Sequence, residues 1–256
     1  MLVDLLLDPF EGRWDDVHAA ASTAEQAGFD GVWLNDHLAG SVHGAGRVLE
    51  SWTTLTAIAA TVPRICIGPM VLNVANRDPG TLAVMAATLQ EVSRGRLLLG
   101  LGAGGGPETP YAAEQLALGR PVPHSPARRR AVEEAIDRLR QVWSGAVGPA
   151  SGFLRPQPPP PIIIAGFGPK MAELAGRVGD GMATPDGAQL PELIRIAREA
   201  HRRAGRDPET FMVVVSGRPS REERERLADL GARRLVVYVP APYSRGVAQA
   251  RQALAR

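Results

Sequence analysis

Apolar residues fall along the chain in eight short runs, at 2–8, 31–35, 65–71, 96–101, 161–165, 180–184, 212–216 and 234–239. Within each run the apolar character is continuous rather than alternating, as in parallel strands buried on both faces. Between the runs the period changes to 3.6. Val17, Ala20, Ala24 and Ala27 share one helix face, as do Leu82, Met85, Leu89 and Val92. Val132, Ile136, Leu139 and Trp143 repeat the pattern, and so do Leu193, Ile196, Ala197 and Ala200. Gly28, Gly95, Gly205 and Gly231 stand where such helices should stop. Eight strand–helix units in about 250 residues is the arithmetic of a (β/α)8 TIM barrel. Eight consecutive units fit an open doubly wound sheet less well. The expectation is one barrel domain over 1–256, with the proline-rich stretch 145–161 as an ordered loop feeding the fifth strand.

Composition narrows the class. Of 256 residues, 45% are apolar and 22% charged, as in an ordinary soluble globular protein. No apolar run approaches the ~20 residues that span a bilayer, so no membrane partner is expected. The first eight residues lack a basic region and carry Asp4 and Asp8, unlike a signal peptide. The single cysteine, Cys66, cannot form an internal disulfide, which points to a reducing cytoplasm. The net charge is +2 and the pI about 9.1, with Lys170 the only lysine. Acidic residues are mixed among the arginines, and no nucleic-acid partner is expected. The densest basic run, Arg128, Arg129 and Arg130, precedes Glu133, Glu134 and Asp137 and reads as a solvated helix face.

In a barrel the chemistry sits at the C-terminal ends of the strands. The second strand ends in Asn35, Asp36 and His37, and His37 is the group there that ordinarily titrates near neutrality. The same pair also suits a loop held by hydrogen bonds. The fifth strand runs into Gly166, Phe167, Gly168, Pro169, Lys170 and Met171. Its glycines let an anion approach the backbone, Pro169 suits a first helical turn, and the N–H groups there lack helical acceptors. A lone lysine in that first turn works against the helix dipole, which points to a bound anion. The fourth strand ends in the glycines at 100, 102, 104, 105 and 106. With Pro107 and Pro110 following instead of a helix, this is not a dinucleotide loop, and it reads as room for a flat ligand. The histidines show no metal-ligand spacing, and no lysine is placed for Schiff-base chemistry.

Several segments together resemble the bacterial luciferase-like superfamily. They are GFDGVWLNDHL at 28–38, ESWTTLTAIAAT at 50–61, RICIG at 64–68, VLN at 71–73 with RDP at 77–79, SRGR at 93–96, and GFGPKM at 166–171 followed by GDG at 179–181. The resemblance covers most of 1–184. It implies a flavin-type oxidoreductase barrel, and the DHL and GFGPKM segments are more similar to the branch that uses the deazaflavin coenzyme F420. It further implies that Asp36 and His37 lie beside the deazaflavin, that Asn73 touches the ring edge beside Gly104, and that 166–171 hold the phosphate. A non-prolyl cis peptide of the family maps onto Met70–Val71. A small-molecule substrate and a homodimer are also implied. Two departures stand out. Gly105 occupies the position of a glutamate in the sugar-phosphate dehydrogenases of the family, and the usual insertions before the fifth strand and after the seventh are reduced. The barrel is therefore a compact variant. An F420-dependent oxidoreductase, with His37 as proton donor or acceptor, is the leading reading. An FMN-dependent monooxygenase or reductase and a non-catalytic binding barrel remain open beside it.

Overall fold

The apolar runs become nine parallel strands of one sheet in a computed structural model that describes residues 1–145 and 147–255. Ala146, in the proline-rich stretch, and Arg256, at the end of the expected domain, lie outside the described residues. The strands are β1 (Leu2–Leu7), β2 (Gly31–Leu34), β3 (Cys66–Pro69), β4 (Leu72–Asn73), β5 (Leu99–Gly102), β6 (Ile162–Ala165), β7 (Gly181–Pro185), β8 (Met212–Ser216) and β9 (Arg234–Val239). Their order is β3-β2-β1-β9-β8-β7-β6-β5-β4. A parallel bridge between Ile67 and Leu97 joins the two ends, with Leu98 N donating to Ile67 O at 2.8 Å. The sheet is thus a barrel of eight staves, as expected.

The third stave corrects the expected strand at 65–71. It stops at Pro69, which has no N–H to donate, and resumes at Leu72. Met70 and Val71 lie between the halves, and the bond joining them is cis, the family feature mapped onto this dipeptide.

Around the barrel lie α1 (Trp14–Gln26), α2 (Ser51–Thr61), α3 (Pro79–Val92), α4 (Ala112–Ala117), α5 (Ser125–Ser144), α6 (Pro169–Val178), α7 (Leu190–Arg203), α8 (Arg221–Asp229) and α9 (Tyr243–Ala255). The four glycines read as helix stops all have positive φ, between 76° and 84°. Neither α4 nor the 3₁₀ turn Gly40–His43 was expected from the sequence.

Burial on both faces explains the continuous apolar runs. Leu6, Trp33, Leu98, Ile163, Ala183, Val214 and Val236 fill the barrel interior as one cluster. Their strand neighbours, such as Leu5, Leu7, Val32, Leu34, Ile162 and Ile164, join the larger core between strands and helices. At the N-terminal end of the barrel a polar cluster is buried. Asp4 accepts from Trp33 Nε1 at 2.8 Å and from Arg234 Nε and Nη2 at 2.6 and 2.7 Å. Burial opposes the charge of Arg234, but the bonds from Asp4 outweigh it and hold the guanidinium protonated. This pair pins β1 to β9, and Trp33 adds β2.

The glycine at 100 is a packing requirement. A Cβ there would overlap the carbonyl oxygen of Pro69, a backbone atom of the neighbouring stave. Gly100→Ala should therefore destabilise the fold by about 3 kcal/mol in urea unfolding. Gly187→Ala, where a Cβ would meet nothing within 4 Å, should stay within about 0.5 kcal/mol of the parent.

Candidate active site

The mouth of the barrel is organised by the end of β2. Asp36 is buried, and its two oxygens accept from five donors. These are Ser51 Oγ at 2.9 Å, Asn73 N at 2.9 Å, Asn76 Nδ2 at 2.9 Å, and Arg77 Nη1 and Nη2 at 3.1 and 3.0 Å. Burial works against the charge of Arg77, yet Asp36 and then Glu50 hold it protonated. Glu50 is also the N-cap of α2, accepting from Trp52 N at 3.0 Å and Thr53 N at 2.7 Å.

His37 stands one residue further along. Its Nδ1 lies 3.1 Å from Glu114 Oε1, and its ring is packed by Phe10, His43 and Tyr111 with centroids 5.0–5.3 Å away. Glu114 belongs to α4, which is tied down by Gln115 Nε2 donating to Asn76 Oδ1 at 2.7 Å.

Between these residues and the β6–α6 loop lies a cavity of about 590 Å³. Met70, Val71, Ala103 and Ala183 are among its apolar walls, with Asn73, Thr184 and Ser216 as polar groups. A Cβ at Gly104, whose φ is +66°, would come within 2.5–2.6 Å of the Asn73 amide, so glycine leaves that side chain its place. Arg128, from the start of α5, donates to the carbonyl oxygens of Ala103 and Gly104 and holds this loop.

Of the residues singled out in the sequence, Asp36, His37, Met70, Val71, Asn73, Gly104, Phe167 and Met171 line this cavity. Gly166, Gly168, Pro169 and Lys170 do not. Gly166 is filled by neighbouring structure, since a Cβ there would strike Met182. Lys170 faces a separate groove with Arg129, Arg130, Glu133, Glu173 and Arg177. Gly168 borders open space, and the N–H groups of Phe167, Gly168 and Lys170 have no backbone acceptor among the described residues. The reading of 128–130 as a solvated face needs correction. Arg128 and Arg129 line the cavity, because the helix starts at the barrel mouth. Glu114, Tyr111 and Thr184 were missed; no local signal marks the first two, whereas Thr184 closes the apolar run 180–184 and could have been found as a strand end. Glu114 meets His37 across 77 positions of chain.

The family model described as luciferase-like monooxygenase matches residues 6–256. The chain belongs to that family. Among curated relatives of this luciferase-like barrel is an F420-dependent glucose-6-phosphate dehydrogenase of Microbacterium testaceum, 35% identical over 66% of the chain and 52% of the relative. An F420-dependent hydroxymycolic acid dehydrogenase of Mycobacterium tuberculosis is 33% identical over 82% of the chain and 60% of the relative. The chain spans little more than half the length of these relatives. Among solved structures, an F420-dependent secondary alcohol dehydrogenase in complex with an F420–acetone adduct superposes with a TM-score of 0.83, at 20% identity over 99% of this chain and 98% of that one. The coenzyme F420-dependent tetrahydromethanopterin reductase of Methanopyrus kandleri gives 0.77 at 16% identity, with the same coverage. These two likenesses establish a shared fold.

The luciferase-like barrel therefore carries its mouth on the Asp36–Arg77–Glu50 network. Burial raises the cost of charge at Glu50, but the N–H donors of Thr53 and Trp52 and the Arg77 charge outweigh it and hold the carboxyl below its usual range. A lowered folded-state value means that this stabilisation is present above the ordinary glutamate range and is lost as pH falls through the folded value. Glu50→Ala should cost about 1 kcal/mol at pH 7, a cap partly screened by solvent. The difference from the parent should shrink steadily as unfolding is measured from pH 5 down to pH 3.

Proposed function

We propose that this chain is an oxidoreductase that moves a hydride between a deazaflavin of the F420 type and a small organic substrate. The observation that carries the reading is the cavity itself. It has the volume of a small-molecule site and apolar walls at Met70, Val71, Ala103 and Ala183, with His37 and Asn73 near the end of β2 and the β6–α6 loop opposite. Gly102, at the end of β5, and Gly104, after it, support the fit of a flat ring, because side chains there would displace Val71 and Asn73. The free N–H groups at 167–170 suit the anionic tail of such a cofactor. Curated relatives at 30–35% identity are F420-dependent dehydrogenases, which supports F420 over FMN. A homodimer in a reducing cytoplasm goes with this reading.

In the proposed roles, Met70 and Val71 support the ring, Asn73 and Gly104 border its edge, and 166–171 receive the phosphate. Asp36 orders the residues around it. The deazaflavin, when bound, supplies two-electron hydride exchange at its C5. His37 takes or returns the proton that a substrate hydroxyl loses or gains.

Two titrations test this. F420 fluorescence should respond to the protein at micromolar concentration, with FMN binding more weakly. Binding of FMN alone would make it an FMN enzyme, and binding of neither would make it a non-catalytic barrel. Gly168→Val tests the phosphate loop cleanly. The backbone at Gly168 is extended (φ −164°) and a Cβ meets nothing within 4 Å, so the variant should fold like the parent. It should nevertheless lose F420 binding by at least tenfold. Lys170→Ala should weaken binding only by about 0.5–1.5 kcal/mol, because the lysine is exposed. Parent-like F420 binding by Gly168→Val would place the phosphate away from the loop at 166–171.

A further inference from the structure

We infer that Glu114 is the positioning residue for His37: it holds Nδ1 as the protonated nitrogen of the ring and leaves Nε2 as the atom that exchanges a proton with the bound substrate. The inference rests on the proposed proton-transfer role of His37. It starts from the surroundings of one oxygen. Glu114 Oε1 lies 3.1 Å from His37 Nδ1, 3.2 Å from Leu38 N and 3.3 Å from Ala39 N. The two backbone groups can only donate, so this oxygen acts as an acceptor. A third contact to an acceptor must come from a nitrogen that carries hydrogen. A neutral imidazole has one such nitrogen, and fixing it at Nδ1 makes Nε2 the basic one.

The arrangement is rigid on both sides. Glu114 is 4% exposed and His37 19%. The ring is packed among Phe10, His43 and Tyr111, and α4 is anchored through Gln115 to Asn76, which also donates to Asp36. The same carboxylate oxygen accepts from the N–H groups of Leu38 and Ala39 at the turn that follows His37, which ties the carboxylate to the backbone beside the ring. Among the described residues no other carboxylate is bonded to the His37 ring. Gly105 has no side chain, and Glu108 is exposed and outside the cavity lining. The carboxylate beside the His37 ring is thus delivered by α4, nine positions beyond Gly105.

The test reads the tautomer directly, in the protein without cofactor. Ring ¹⁵N shifts of histidine-labelled protein are recorded at pH 8.5, above the ordinary imidazole range, with His37 assigned by its loss in His37→Gln. The parent should show Nδ1–H at His37. Glu114→Gln should keep it, since an amide oxygen can still face the two N–H groups. Glu114→Ala should at least halve the Nδ1–H fraction. An Nε2–H ring in the parent overturns the inference whatever the variants do, and so does an unchanged tautomer in a folded Glu114→Ala. Should that variant not fold, the parent and Glu114→Gln spectra decide. A parallel F420 titration separates the two ideas: failure to bind F420 overturns the proposed function, while the tautomer alone decides the role of Glu114.

Discussion

The carboxylate of Asp36 is the constraint on which the barrel mouth depends. Its five donors come from the start of α2, the end of β4, the turn after it and Arg77. None of these pieces can shift without leaving a buried charge or donor unpaired, and breaking such a pair typically costs about 3–5 kcal/mol. His37 adjoins Asp36 in sequence, and Asn73 donates to it directly. Both therefore inherit a fixed position from a group whose own oxygens are fully engaged. Asp36 orders the residues that face the cavity more than it faces the cavity itself.

The barrel was legible because its strands are buried on both faces, which leaves unbroken apolar runs, and because its helices end at glycines with positive φ. The strand at 212–216 and the strand at 234–239 match their runs end to end. The split third stave was not legible at Pro69, since a proline at the end of an apolar run reads equally as a strand terminus. The helix at Ala112–Ala117 was missed for another reason. Six residues give fewer than two turns, too few to show a period. With it went Glu114. A contact made across 77 positions has no local pattern, and only the closed barrel brings its partners together. Asp36 and His37 could be picked out because they end a strand, a place the fold itself marks.

Charge was the least legible property. A run of three arginines followed by acids has the spacing of a solvated face, and Glu133 does pair with Arg177 on the neighbouring helix. Yet α5 begins at the rim, so its first arginines turn towards the cavity and Arg128 binds the carbonyls of the glycine loop. The same composition does two jobs because a helix longer than the barrel stave beside it passes from mouth to outer wall. Lys170, unusual as the only lysine, sits instead in a groove that it shares with three arginines and two glutamates, apart from the cavity. Its rarity in the sequence says little about its strength as an anion contact, and the uncharged N–H groups beside it carry more of that argument.

The glycines show how one residue type serves opposite ends. From the sequence, those at 100–106 read as space kept for a ligand. In the fold their missing side chains are replaced by the protein: Gly100 by the Pro69 carbonyl, Gly102 by Val71, Gly104 by Asn73 and Gly105 by Thr109 and Tyr111. Chain packs against chain along this side of the cavity, which is a condition of the fold before it is a condition of binding. Gly168 differs. Its backbone is extended, as any residue allows, and nothing in the protein occupies the space its side chain would fill. Neither conformation nor packing requires a glycine at that position, which leaves the space beside the start of α6 open for the anionic tail proposed above.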